Sequence, residues 1–91
     1  MSVRFTLEAL DHIVSIRSRI EAKSPQAASR IIDRIFAECD RLKEFPQLGH
    51  VGTVPGTYEW IVPHLPYIIV HEITPSNDVV IIGVFDGARK S

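Results

Sequence analysis

Cysteine occurs once in the chain, at Cys39, and tryptophan once, at Trp60. A lone cysteine excludes an internal disulfide framework and any zinc site built from thiolates alone. No lysine or arginine stands between Glu44 and Ala88. A groove that tracks nucleic-acid phosphates needs several such cations, and the C-terminal half cannot supply one by itself. Long apolar runs are missing as well. The uncharged stretch from Ile61 to Val70 is broken by two prolines and a histidine, so no membrane-crossing helix is expected. The start, Met1-Ser2-Val3-Arg4, lacks the apolar core of a signal peptide, and a cytoplasmic location is expected.

What is present describes a small folded protein. Of 91 residues, 45% are hydrophobic and 23% charged, with a net charge of −1. That composition fits neither a disordered nor a polybasic chain, and the length predicts one domain over residues 1–91. Residues 1–43 carry a charge balance of +2 and residues 44–91 a balance of −3, so the only cationic surface expected is on the N-terminal half.

Val3-Arg4-Phe5 is β-prone and leads into Thr6, a good N-cap, with Glu8 in the first turn. Leu7, Leu10, Ile13, Val14 and Ile20 recur at helical spacing and predict a helix over 7–22. Ser24-Pro25 restarts the chain as cap and first helical residue. Ala28, Ile31, Ile32, Ile35, Cys39 and Leu42 form an apolar stripe with Phe36 at its flank, predicting a second helix that ends near Phe45, ahead of Pro46. Residues 49–56 read as loop. Strands are expected at 57–62, 67–73 and 79–85, separated by Pro63-His64-Leu65-Pro66 and Pro75-Ser76-Asn77-Asp78. Links this short allow only an antiparallel meander. The expected fold is α+β: an N-terminal strand, an antiparallel helical hairpin, then a three-stranded antiparallel meander in two layers.

The strand patterns leave a surplus of apolar surface. Strict alternation puts Tyr67, Ile69, His71 and Ile73 on one face, and Ile68, Val70 and Glu72 on the other. It likewise groups Val79, Ile81 and Phe85 against Val80, Ile82 and Val84. Two helices can cover one face only. The second face therefore needs a cover: a second copy, another protein, or the 49–56 loop or the tail folded back.

Four motifs in order carry a family resemblance. They are Phe45-Pro46-Gln47-Leu48-Gly49-His50, Gly56-Thr57-Tyr58-Glu59-Trp60-Ile61-Val62-Pro63, Leu65 to Ile73, and Val79 to Arg89. With the element order above, the chain resembles the RelE/ParE toxins of bacterial type II toxin–antitoxin modules, and most closely the ParE branch. The resemblance implies a two-layer RelE-like fold and a toxin neutralised by a cognate antitoxin. An extended antitoxin segment would cover the apolar sheet or hairpin surface in a hetero-oligomer. ParE-type members act on a protein target, DNA gyrase, and RelE-type members cleave messenger RNA on the ribosome. Two positions depart from the family pattern: Tyr58 stands where arginine is frequent, and Asp86 where histidine is frequent. An inactive member that only binds antitoxin is a third reading.

Ribonuclease chemistry would need a base for the ribose 2′-hydroxyl, an acid for the leaving oxygen and cations around the phosphorane. Under that reading the candidates are Glu59 or His71 as base, His64 or His50 as acid, and Arg89 as cation. Ile68 occupies a place where ribonuclease members carry arginine. With Arg89 the only arginine after Arg41, this is sparse equipment, and a protein-binding ParE-type toxin is the first reading. Tyr58, Trp60, Tyr67 and Arg89 are then the candidates for target or antitoxin binding, since aromatic and arginine side chains suit protein interfaces. His50, His64 and His71 lack the i, i+4 helical spacing of a metal pair, so neither a metal nor a cofactor is expected, and direct nucleic-acid binding is not. Cys39, on the buried stripe, reads as a packed hydrophobe.

Overall fold

The computed structural model describes residues 2–87. Strand β1 (Val3–Phe5) is followed by helices α1 (Leu7–Glu21) and α2 (Pro25–Glu44). Four more strands follow: β2 (His50–Val51), β3 (Thr57–Ile61), β4 (Tyr67–Ile73) and β5 (Val79–Asp86). The helix starts are fixed locally. Thr6 Oγ1 accepts the Ala9 amide at 3.1 Å, and Ser24 Oγ accepts the Ala27 amide at 3.2 Å. Each helix ends one residue before its expected boundary. Among the described residues, no helix is long and apolar enough to cross a membrane.

The sheet has five strands in the order β1-β5-β4-β3-β2. The meander β3-β4-β5 is antiparallel as expected, and β1 joins β5 in parallel, with Val3 opposite Val79 and Phe5 opposite Ile81. Reading 49–56 as loop missed β2, which pairs His50 with Glu59 and Val51 with Tyr58. Gly49 makes that approach possible. Its φ is +96°, and a Cβ there would lie 2.1 Å from the Glu59 carbonyl oxygen.

The α2 stripe is buried except at Ile31, which is partly buried: Ala28, Ile32, Ile35, Cys39 and Leu42 join Ile69, Val79 and Ile81 in the core. The α1 stripe is not. Ala9, Ile13 and Ile16 are buried, while Leu7, Leu10 and Val14 stay exposed. Ala9, Ile13, Ile16 and Ile20 also form a helical stripe, and it begins with a small residue that lets the helix approach closely. Phe36 stays partly exposed and meets Phe5 edge-on, ring centroids 5.6 Å apart.

The apolar excess on β5 is redistributed by a bulge. Val70 pairs with Gly83 but His71 with Ile81, so Ile82 is an extra residue in β5. The phase of alternation changes there. Val84, 2% exposed, turns into the core, and Phe85, 42% exposed, turns out. This reverses the faces expected for Val84 and Phe85 from strict alternation.

Gly49 and Gly56 both have positive φ, but nothing lies within 4 Å of a Cβ on Gly56. Gly56→Ala should therefore cost about 1 kcal/mol for the left-handed backbone alone. Gly49→Ala should cost a further 1–3 kcal/mol or so, because β2 must move off Glu59. Urea unfolding of the two variants checks the order, and equal losses would contradict it.

Candidate functional site

Register sorts the candidate residues by face. Tyr58 pairs with His71 and Trp60 with Ile69, so these four share the helix-covered face. Glu59 pairs with Val70 and Thr57 with Glu72, which places these four on the far face. The two residues offered as a ribonuclease base, Glu59 and His71, are thus on opposite sides of the sheet. His64 sits at the β3–β4 turn with φ +66°, and His50 lies on the edge strand β2. Of these, only His50 and Glu59 are brought together, Nε2 to Oε1 at 3.5 Å. Arg89 lies outside the described residues.

On the helix side each aromatic candidate is held in place. The Trp60 indole N–H donates to Glu38 Oε1 at 2.8 Å, and Arg41 stands 6.0 Å from the ring centroid and 3.6 Å from the same carboxylate oxygen. Tyr58 is half-buried and stacks on His71 with ring centroids 5.6 Å apart. Tyr67 is buried, and its phenol is pushed above its ordinary pKa, chiefly by burial and then by Asp86. The Cys39 thiol is pushed up to about 12 by burial and then by Glu38, which leaves it protonated and unreactive.

His71 has no exposed surface. Its neutral ring donates Nε2–H to the Pro46 carbonyl at 2.6 Å, which ties the Phe45–His50 segment to the sheet, while Nδ1 has no partner. A proton on Nδ1 would be buried without an acceptor.

The far face is an open groove of about 620 Å³. Val70, Ile82 and Phe85 lie along it, with Thr53 and Val54 of the 52–56 loop on one side. That loop is the cover anticipated for this face, but only in part: Gly52 N–H donates to the Thr57 carbonyl at 2.8 Å, and Thr57 Oγ1 donates to the Val54 carbonyl at 2.6 Å. Thr57 and Glu59 are buried as a result, and the rest stays open. His12, Ser15 and Arg19 of α1 form the other side. Helix α1 reaches the groove because it runs along the edge of β5 beyond the end of β1.

His12 is a residue that the sequence offered no reason to single out. Its Nδ1 accepts the Val84 amide at 3.2 Å, satisfying an edge N–H that β1 is too short to pair. That bond fixes the tautomer and leaves the proton of the neutral ring on Nε2. The ring also packs on Phe85, centroids 4.8 Å apart. The groove carries three carboxylates, Glu59, Glu72 and Asp86. Arg19 Nη1 stands 3.7 Å from Asp86.

Residues 3–91 match the sequence model of a family described as the ParE toxin of the type II toxin–antitoxin system parDE. The protein named "Putative toxin Y4kP" of Sinorhizobium fredii (strain NBRC 101917 / NGR234) is 39% identical over 82 residues, 90% of this chain and 83% of that one. A chain from the chromosomal ParDE toxin–antitoxin system of P. aeruginosa superposes with a TM-score of 0.85 at 17% identity, covering 94% of this chain and 95% of that one. The isolated E. coli RelE toxin gives 0.67 at 16% identity, over 98% and 86% of the two chains. A chain of the intact E. coli RelBE complex gives 0.64 at 16%, over 90% of each. At such identities the structural matches establish a RelE-like fold.

Burial holds the His71 pKa below its ordinary 6.5, opposed by the hydrogen bond to Pro46. The folded chain then binds fewer protons than the unfolded chain just below that value. Stability should be complete above about pH 6.5 and fall with pH toward the folded pKa, by at most about 1.4 kcal/mol per pH unit. Urea midpoints across this range should drop in the parent and drop less in His71→Gln, which cannot titrate. Identical slopes would exclude His71 as the source.

Proposed function

The chain belongs to the family of ParE toxins of type II toxin–antitoxin systems, and from that premise we propose that it binds a protein target, DNA gyrase, and is neutralised by a cognate antitoxin in the cytoplasm. The observation that carries the choice of a protein target is the burial of His71, one of the two candidate bases, with no exposed surface. The other candidate base, Glu59, does meet His50 at 3.5 Å, but such a pair also needs cations around the phosphorane. Charge supports the same choice. The segment from Thr57 to Asp86 contributes Glu59, Glu72, Asp78 and Asp86 and no lysine or arginine, so it would repel a ribosome-bound message.

A protein interface requires a few anchors and no catalytic cluster. Tyr58 and Trp60, both half-buried on β3, and Arg89 in the tail are assigned to the target surface. Tyr67 is nearly enclosed and offers little surface to a partner. The open groove on the far face is assigned to the antitoxin, because an apolar surface of this kind is otherwise a liability for a free protein.

Expression without antitoxin should induce the DNA-damage response, and the purified chain should block gyrase supercoiling while messages on translating ribosomes stay intact. Cleavage of ribosome-bound message, abolished by Glu59→Gln, would instead establish the ribonuclease. Arg89→Ala should reduce toxicity several-fold and leave the melting temperature nearly unchanged, since chain ends contribute little to stability. Full toxicity in that variant would remove Arg89 from the target surface.

A further inference from the structure

The three carboxylates of the far-face groove are not equivalent. Asp86 has Arg19 at 3.7 Å, and Glu59 has His50 at 3.5 Å. Glu72 is exposed on β4, and no ion pair reaches it from the described residues. The chain thus supplies its own counter-charge at the α1 end of the groove. At the Glu72 end, Arg4 stands two strands away in the row Arg4–Val80–Glu72 but forms no ion pair with Glu72, and the meander itself has no lysine or arginine. Between the two ends lie the apolar side chains of Val70, Ile82 and Phe85.

We propose that this groove binds an antitoxin segment with apolar side chains along its length and a lysine or arginine seated against Glu72. The inference rests on the toxin–antitoxin reading above and adds the chemistry by which the groove selects its occupant. Laying an apolar segment over Val70 and Ile82 withdraws water from the neighbouring Glu72 carboxylate. An ionised carboxylate that loses water without gaining a cation is penalised heavily. A segment with a neutral or acidic residue at that position is therefore rejected, and one with a basic residue is accepted. Discrimination comes from the penalty on the wrong partner as much as from attraction to the right one. The bulge contributes directly: the extra residue it inserts, Ile82, is one of the apolar side chains along the groove.

The test uses the full chain and the protein encoded beside it, with affinity measured by titration at low and high salt. Glu72→Gln should weaken the complex roughly tenfold and Glu72→Lys roughly a hundredfold or more, as for close charge pairs at other interfaces. Both variants should melt as the parent does, because Glu72 is exposed. The salt dependence of binding should flatten in Glu72→Gln. Replacing the partner's basic residue by glutamate should restore binding to Glu72→Lys. Arg30→Glu, on the outer surface of α2, should leave affinity unchanged. Parent-like binding by Glu72→Lys would overturn the inference and leave the toxin–antitoxin reading standing. So would a homodimer disrupted by Glu72→Lys while partner binding persists, since the groove would then belong to a second copy. No complex between the parent chain and its neighbour would overturn both.

Discussion

Strand β5 is the element on which the other parts of this molecule depend. It takes β4 along one side and β1 along the other, and it is the only strand that does both jobs across the two ends of the chain. Where β1 stops, the edge is handed over to α1. The Thr6 amide donates to the Ile81 carbonyl at 3.0 Å, and His12 then accepts from Val84. Backbone groups at a buried edge must find partners, and this handover supplies them without a longer β1. It also determines where α1 lies. The helix is held beside the edge and not squarely over the sheet, so one flank joins the core through Ile13 and Ile16 while the other borders the far-face groove.

The parts of the fold that were legible in the sequence are those whose signals are local. Thr6 and Ser24-Pro25 announce helix starts through chemistry within one turn. The α2 stripe is a single strong pattern with no competitor, and all of it but the partly buried Ile31 is enclosed. Helix α1 offers two stripes, and the choice between them belongs to the surface it meets; the stripe containing Ala9 wins because close approach to β5 favours a small residue. Strand β2 is two residues long, too short for any periodic signal. The bulge at Ile82 is equally silent, because an apolar run such as Val79 to Val84 looks the same with or without a change of phase.

The candidate site divides along the same line. Residue types on β3 and β4 could be read, and alternation places Glu59 and His71 on opposite faces once the register is known. What could not be read was their company. The Glu38–Trp60 bond spans 22 positions, and the His12–Val84 bond spans 72. His71 looked like a possible base and is in fact a buried strut for the Phe45–His50 segment. A histidine in a strand carries no mark that separates the two roles; only the packing above it does.

The parallel pairing of β1 with β5 has a consequence for how the protein comes into being. Val3 waits for a partner that is made 76 residues later, and contacts between such distant segments form late and slowly. While residues up to 78 are emerging from a ribosome, the helical hairpin has no sheet centre to pack on, and only β2, β3 and β4 can pair. Every surface that depends on β5, the groove included, is absent until synthesis has passed Asp86. A partner that recognises the groove therefore cannot act on the nascent chain.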